Sequence, residues 1–177
     1  TRDQRRRFLK VAYHEAFHQY LFYALGKRPT PPWFNEGHAG FFEETDIHNG
    51  QIRVEESEMK VRRLLKMLEK RELPIRKLLA MDYPEFYDPD AEKRSDNYAL
   101  AWALIYYMRK GAAQERPARY HKICDTFLTA LATNPADATE KAFRNVNMQR
   151  FEKQFRLFWK SKSRRNEAER KVLAKAK

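Results

Sequence analysis

His14-Glu15-Ala16-Phe17-His18 is the segment whose residue types and spacing point most directly to chemistry. It reads HExxH. On a helix, residues four apart share a face, so both imidazoles can face one divalent cation. Neutral imidazole suits zinc, and a zinc that does chemistry takes three protein donors and keeps one position open. Glu15, between the two histidines, can reach a water held there and act as its general base. Three fixed positions also arise by chance. In that reading His14 and His18 are partly buried helix histidines and Glu15 is a surface carboxylate.

A third donor has to come from a second element that returns to the first. Trp33-Phe34-Asn35-Glu36-Gly37 offers Glu36, with seventeen residues between it and His18. That length lets one helix end, a Pro-rich connector turn, and the first turn of another helix come back. Glu43 follows Glu36 by two turns on the same face, where it either hydrogen-bonds a ligand histidine or is simply solvated. Asn35 either caps its helix or lines the cleft. His38 is rotated by roughly 200° from Glu36 on a helix and should point away from the cation.

HExxH followed by a W-hydrophobic-N-E-G block resembles the gluzincin metallopeptidases. The second block is similar to the WLNEG of the one-zinc aminopeptidases, whose spacer is slightly longer. Along the whole chain the resemblance is closer to a family of uncharacterised bacterial peptidase-MA-like domains, in which HEAxHQ, PxWxxEGxA and a YAxAWAL helix recur. Here those blocks fall at 14–19, 32–39 and 98–104, and the resemblance spans roughly residues 8–160. It implies Zn²⁺ as cofactor, His14, His18 and Glu36 as ligands, and Glu15 as base. It also implies a downstream tyrosine that donates its hydroxyl to the oxyanion of the reaction. Tyr98, 62 positions after Glu36, opens the matching helix and fits that role, with a packing aromatic as the other reading.

The clan's β-sheet normally precedes the HExxH helix. Thirteen residues before His14 leave no room for it, so it is expected to be absent or to lie upstream. The exopeptidase motif of the aminopeptidases is missing, and their specificity is not carried over. The resemblance further implies export to the periplasm, the envelope or the medium. The chain begins at Thr1 without a signal and reads as a piece of a longer protein.

The elements that must position these groups are mostly helices. Apolar residues at three- and four-residue steps predict a helix over 3–25, stopped by Gly26, and Pro32 leads into a second over 33–44. Asn49-Gly50 marks a hairpin within 47–54. Further helices are expected over 56–72 and 74–79, and 81–94 reads as loop. Ser95 or Asp96 should cap a helix that runs to Gly111. Helices over 117–133, 136–145 and 148–161 complete the expectation. The fold class is mostly α, with zincin-like catalytic helices, a helical subdomain and a short β-hairpin. Residues 1–161 form one domain, and 162–177 form a basic tail, either a solvated helix or without order.

Composition narrows the partners. The net charge is +12, but residues 144–177 carry twelve Lys/Arg against three Glu, so the body is close to neutral. Phe151, Phe155, Phe158 and Trp159 interleave with those cations at helical spacing and should pack on the body, so nucleic acid is not the expected main partner. A single cysteine, Cys124, excludes an internal disulfide and a cysteine-based zinc finger. With 5 Gly and no phosphate-binding loop pattern, no organic cofactor is expected. No apolar run is long enough to span a bilayer. His48 in the hairpin and His121 on a later helix read as ordinary residues, and Cys124 as core. The function expected is a zinc-dependent metallopeptidase acting on a peptide or protein. The alternatives are an inactive zinc-binding interaction module of a larger envelope or secreted protein, and a basic nucleic-acid-binding helical domain.

Overall fold

Gly26 ends the first helix, α1 (Arg2–Ala24), through a left-handed turn. Lys27 N–H donates to Phe22 O at 2.7 Å and Gly26 N–H to Tyr23 O at 3.1 Å, the paired bonds of a Schellman motif. The chain then passes through Pro29 and Pro31 into α2 (Pro32–Glu43). Pro32 is the first residue of that helix rather than the residue before it, which suits a ring that fixes φ and has no N–H to lose. These two helices form an αα-hairpin.

The computed structural model describes residues 2–70, 73–112 and 120–175, and their side chains except at 2, 3, 48 and 163–175. After α2 come β1 (Thr45–His48) and β2 (Gln51–Val54), paired antiparallel with His48 opposite Gln51. Asn49 and Gly50 both have positive φ, 50° and 73°, as a two-residue type I′ turn requires. There follow α3 (Glu58–Glu69), α4 (Ile75–Ala80), α5 (Tyr83–Phe86) and α6 (Ala91–Tyr106). A π-helical turn (Tyr107–Gly111) extends α6, and α7 (Ile123–Thr133), α8 (Ala138–Phe143) and α9 (Met148–Lys175) complete the fold. The molecule is mostly helical with one short β-hairpin, as the periodicity predicted. The two-stranded ribbon is the one sheet among the described residues.

Several boundaries differ from the expectation. The supposed loop 81–94 contains α5, held by a capping box in which Asp82 and Glu85 bond each other's backbone N–H. It also contains the start of α6, whose cap is Asp90 and not Ser95 or Asp96. Asp90 accepts from the N–H groups of Glu92 and Lys93, and the Ser95 hydroxyl bonds back to Ala91 O inside the helix. The first turn of α6 is charged and exposed, so it has no apolar rhythm to reveal it. His121 lies in the turn before α7, not on a helix, and residues 117–119 and 71–72 of two expected helices lie outside the described residues. α9 runs without a break across position 161.

Helix α6 is the centre of the core. Leu100, Trp102, Leu104 and Ile105 are buried on all sides, against α2, α3 and α4. α2 approaches α6 so closely at Gly37 that an added Cβ would sit 2.8 Å from Ala101 O and 2.7 Å from Ile105 Cγ1. Phe151, Phe155 and Trp159 of α9 are buried as the spacing predicted, with Trp159 against Trp102 and Tyr106. Cys124 is buried too.

Candidate functional site

The αα-hairpin brings His14 and His18 of α1 against Glu36 of α2. His14 Nε2 lies 3.5 Å and His18 Nε2 3.6 Å from the same oxygen, Glu36 Oε2. The three donor atoms are all within 4.8 Å of one another. Donors about 2.0–2.1 Å from a tetrahedral zinc stand roughly 3.3–3.4 Å apart, close to the two separations found with Glu36. Glu36 is only 3% exposed, yet its Oε2 has no hydrogen-bond partner among the described residues. A buried carboxylate oxygen of that kind is costly unless something else takes up its charge.

The outward nitrogens are also engaged. His18 Nδ1 is 2.9 Å from Asn35 Oδ1, so the Nδ1–H donates there and leaves the Nε2 lone pair toward the cluster. Asn35 Nδ2 in turn donates to the Tyr83 hydroxyl at 2.6 Å, which fixes the amide's orientation. Asn35 does not cap α2, because the capping position is Pro31. His14 Nδ1 faces Glu43 Oε2 at 3.5 Å, and Lys60 of α3 bonds that same oxygen at 2.6 Å. Glu36 Oε1 accepts from the Tyr87 hydroxyl at 2.6 Å.

These neighbours set the electrostatics. Burial opposes charge on His14, but Glu36 and Glu43 together outweigh it and raise its pKa to about 9. Burial likewise opposes charge on Glu43, while His14 and Lys60 bring its pKa down to about 2. The same balance, set by His14, Tyr87 and His18, holds Glu36 below the ordinary carboxylate range. Tyr98 is pushed up to about 12, first by burial and then by the negative charge of Glu36. Burial and Glu36 raise Tyr87 as well, so both hydroxyls stay protonated donors.

The structure thus brings six of the singled-out residues together: His14, His18, Glu36, Asn35, Glu43 and Tyr98. Tyr98 sits at the edge of the cluster, against the ring of Tyr87 and within the field of Glu36. Glu15 is exposed on α1 beside His14. His38 points away, as its position implied. Its Nδ1–H donates to Phe34 O at 2.9 Å, and its Nε2 accepts from Arg109 at 3.3 Å. Sequence reasoning missed Tyr83, Tyr87 and Lys60. The two tyrosines are four residues apart, within a stretch where the Asp82–Glu85 capping-box spacing was a legible helix signal.

Residues 10–126 match the family described as protein of unknown function, DUF1570. The chain belongs to this family. The match contains all three donors, Tyr87, Tyr98 and the whole of α6. No curated protein and no solved structure matches the chain.

Proposed function

We propose that this DUF1570 chain is a zinc-dependent metallopeptidase of the gluzincin type, with His14, His18 and Glu36 holding the metal. The observation that carries this reading is the convergence of two imidazole nitrogens on one buried carboxylate oxygen that lacks a hydrogen-bond donor. Two nitrogens and one carboxylate oxygen are the donor set of a catalytic zinc. When bound, Zn²⁺ acidifies a water and polarises the carbonyl that is attacked.

The chain's own residues supply the rest. Asn35 and Glu43 hold the two imidazole rings with Nε2 inward. Tyr87 occupies the second oxygen of Glu36, which leaves Oε2 as the free donor. Glu15 accepts the proton of the attacking water and passes it to the leaving amine. The Tyr98 hydroxyl, still protonated at neutral pH, donates to the oxyanion.

Glu15→Gln tests the assignment directly. Native mass spectrometry should find about one zinc per chain in both the parent and the variant, removed by a chelator. Cleavage of a mixed peptide library should fall by a factor of 10² or more in the variant, in line with the loss of a general base. Cleavage that survives Glu15→Gln would sink the peptidase reading. Zinc without cleavage in the parent protein would instead favour the inactive interaction module. No zinc in either protein would remove the metal from the account altogether.

A further inference from the structure

A groove of about 500 Å³ lies between α3 and the first half of α6. The wall formed by α3 and its C-cap carries Lys60, Arg62, Arg63, Lys66 and Lys70. The acidic residues on its other side, Glu92 and Asp96, are both taken up by Arg63, at 2.5 Å each. Lys60 is committed to Glu43. Arg62, Lys66 and Lys70 are exposed and have no acidic partner among the described residues. The groove therefore offers three cations with no ion-pair partner among the described residues, over a partly apolar floor that includes Met67 and Ala99.

Two of its lining residues belong also to the site described above. Tyr98 lines the groove and meets Tyr87 and Glu36. Lys60 lines it and bonds the carboxylate that faces His14. Tyr98 and Lys60 thus stand between the groove and the donor cluster.

We propose that this groove is a subsite for an acidic segment of the peptide substrate, with Arg62, Lys66 and Lys70 as its specificity-determining charges. The proposal rests on the peptidase reading for the word substrate, but not for the binding itself. A groove whose cations outnumber its carboxylates attracts acidic segments and repels basic ones, so it selects by sign more than by affinity. Lys60 and Arg63, already paired, hold the walls rather than the ligand.

The test has a binding arm and a cleavage arm. In the first, a fluorescein-labelled alternating Glu-Ala peptide is titrated into the Glu15→Gln protein at physiological ionic strength, beside a Lys-Ala counterpart. The variant Arg62→Glu/Lys66→Glu/Lys70→Glu should weaken the acidic peptide by about tenfold or more and leave the zinc content unchanged. The neutral variant Arg62→Gln/Lys66→Gln/Lys70→Gln should fall between, which guards against a folding defect in the reversed one. Arg150→Glu/Lys153→Glu/Lys160→Glu on α9 makes the same change of net charge elsewhere. An equal loss in this control, or no loss in the groove variant, overturns the proposal. In the second arm, the parent enzyme should prefer an acidic residue at a fixed distance from the cleaved bond. Groove reversal should abolish that preference through KM with little change in kcat. Cleavage with no such preference overturns the substrate role. If nothing is cleaved, the peptidase reading fails and the binding arm alone judges the groove.

Discussion

His14 and His38 lie on facing helices, yet their surroundings drive their protonation in opposite directions. His14 meets two carboxylates and is held toward the charged form, near a pKa of about 9. His38 is buried against Phe17 and Phe34 and faces the Arg109 guanidinium, so burial and then that like charge lower it to about 3. The consequence for stability follows from linkage. Between about 3 and the ordinary value of 6.5, the unfolded chain protonates His38 and the folded one does not. The stability associated with neutral His38 is therefore complete above pH 6.5 and is lost as the pH falls toward 3. The thermal midpoint should drop between pH 6.5 and 5, a window above the one in which Glu43 titrates. His38→Asn should flatten that part of the curve, whatever it does to the midpoint at neutral pH. A slope unchanged by the substitution would show that another group carries it.

At the scale of elements, the site depends on how closely α2 can lie against α6. Gly37 follows Glu36 directly, and its missing side chain is what lets the two helices meet at Ala101 and Ile105. Gly37→Ala must push a Cβ into the Ala101 carbonyl oxygen, which is backbone and cannot turn aside. We expect a loss of about 1–3 kcal/mol, seen as a lower midpoint in urea, and, on the proposed metallopeptidase reading, weaker zinc binding because Glu36 moves with the helix. Gly111→Ala meets the Phe158 and Tyr107 rings instead. It should destabilise the fold without displacing Glu36, and so without weakening the zinc binding proposed above.

His14, His18 and Glu36 were legible because a helix period and one reversal of chain suffice to bring them together. The wide apolar faces and the Asn49-Gly50 turn made the fold class legible for similar local reasons. Tyr87 was not, because its role comes from a short capped turn placed over Glu36 from fifty-one residues away. The α6 start was hidden because its cap is followed by exposed charge, and no burial pattern marks a turn that nothing covers.

At the scale of the molecule, the basic C-terminal helix divides by function along its length. Up to Trp159 it is core, with Phe151, Phe155 and Trp159 each no more than 1% exposed. Lys162 closes this part by bonding Glu56 at 2.6 Å and the Tyr106 hydroxyl at 3.1 Å. A chain ended after Lys162 should keep its melting midpoint, while its circular-dichroism signal loses only the share of the removed helical residues. Trp159→Ala should cost about 3–5 kcal/mol, since it opens a large cavity against Trp102 and Tyr106. Equal damage from both changes would place residues beyond Lys162 within the cooperative fold.

The hairpin of α1 and α2 also has a kinetic meaning. All three donors fall between positions 14 and 36, so closing that loop costs little chain entropy. Tyr87 and Tyr98 arrive only with α5 and α6, contacts of much longer sequence separation and slower formation. We expect the donors to converge first and the tyrosines to close over them afterwards. In a refolding experiment, His14–Glu36 proximity should then precede burial of Trp102, and a metal supplied at the outset would meet a hairpin still open to solvent on its α6 side.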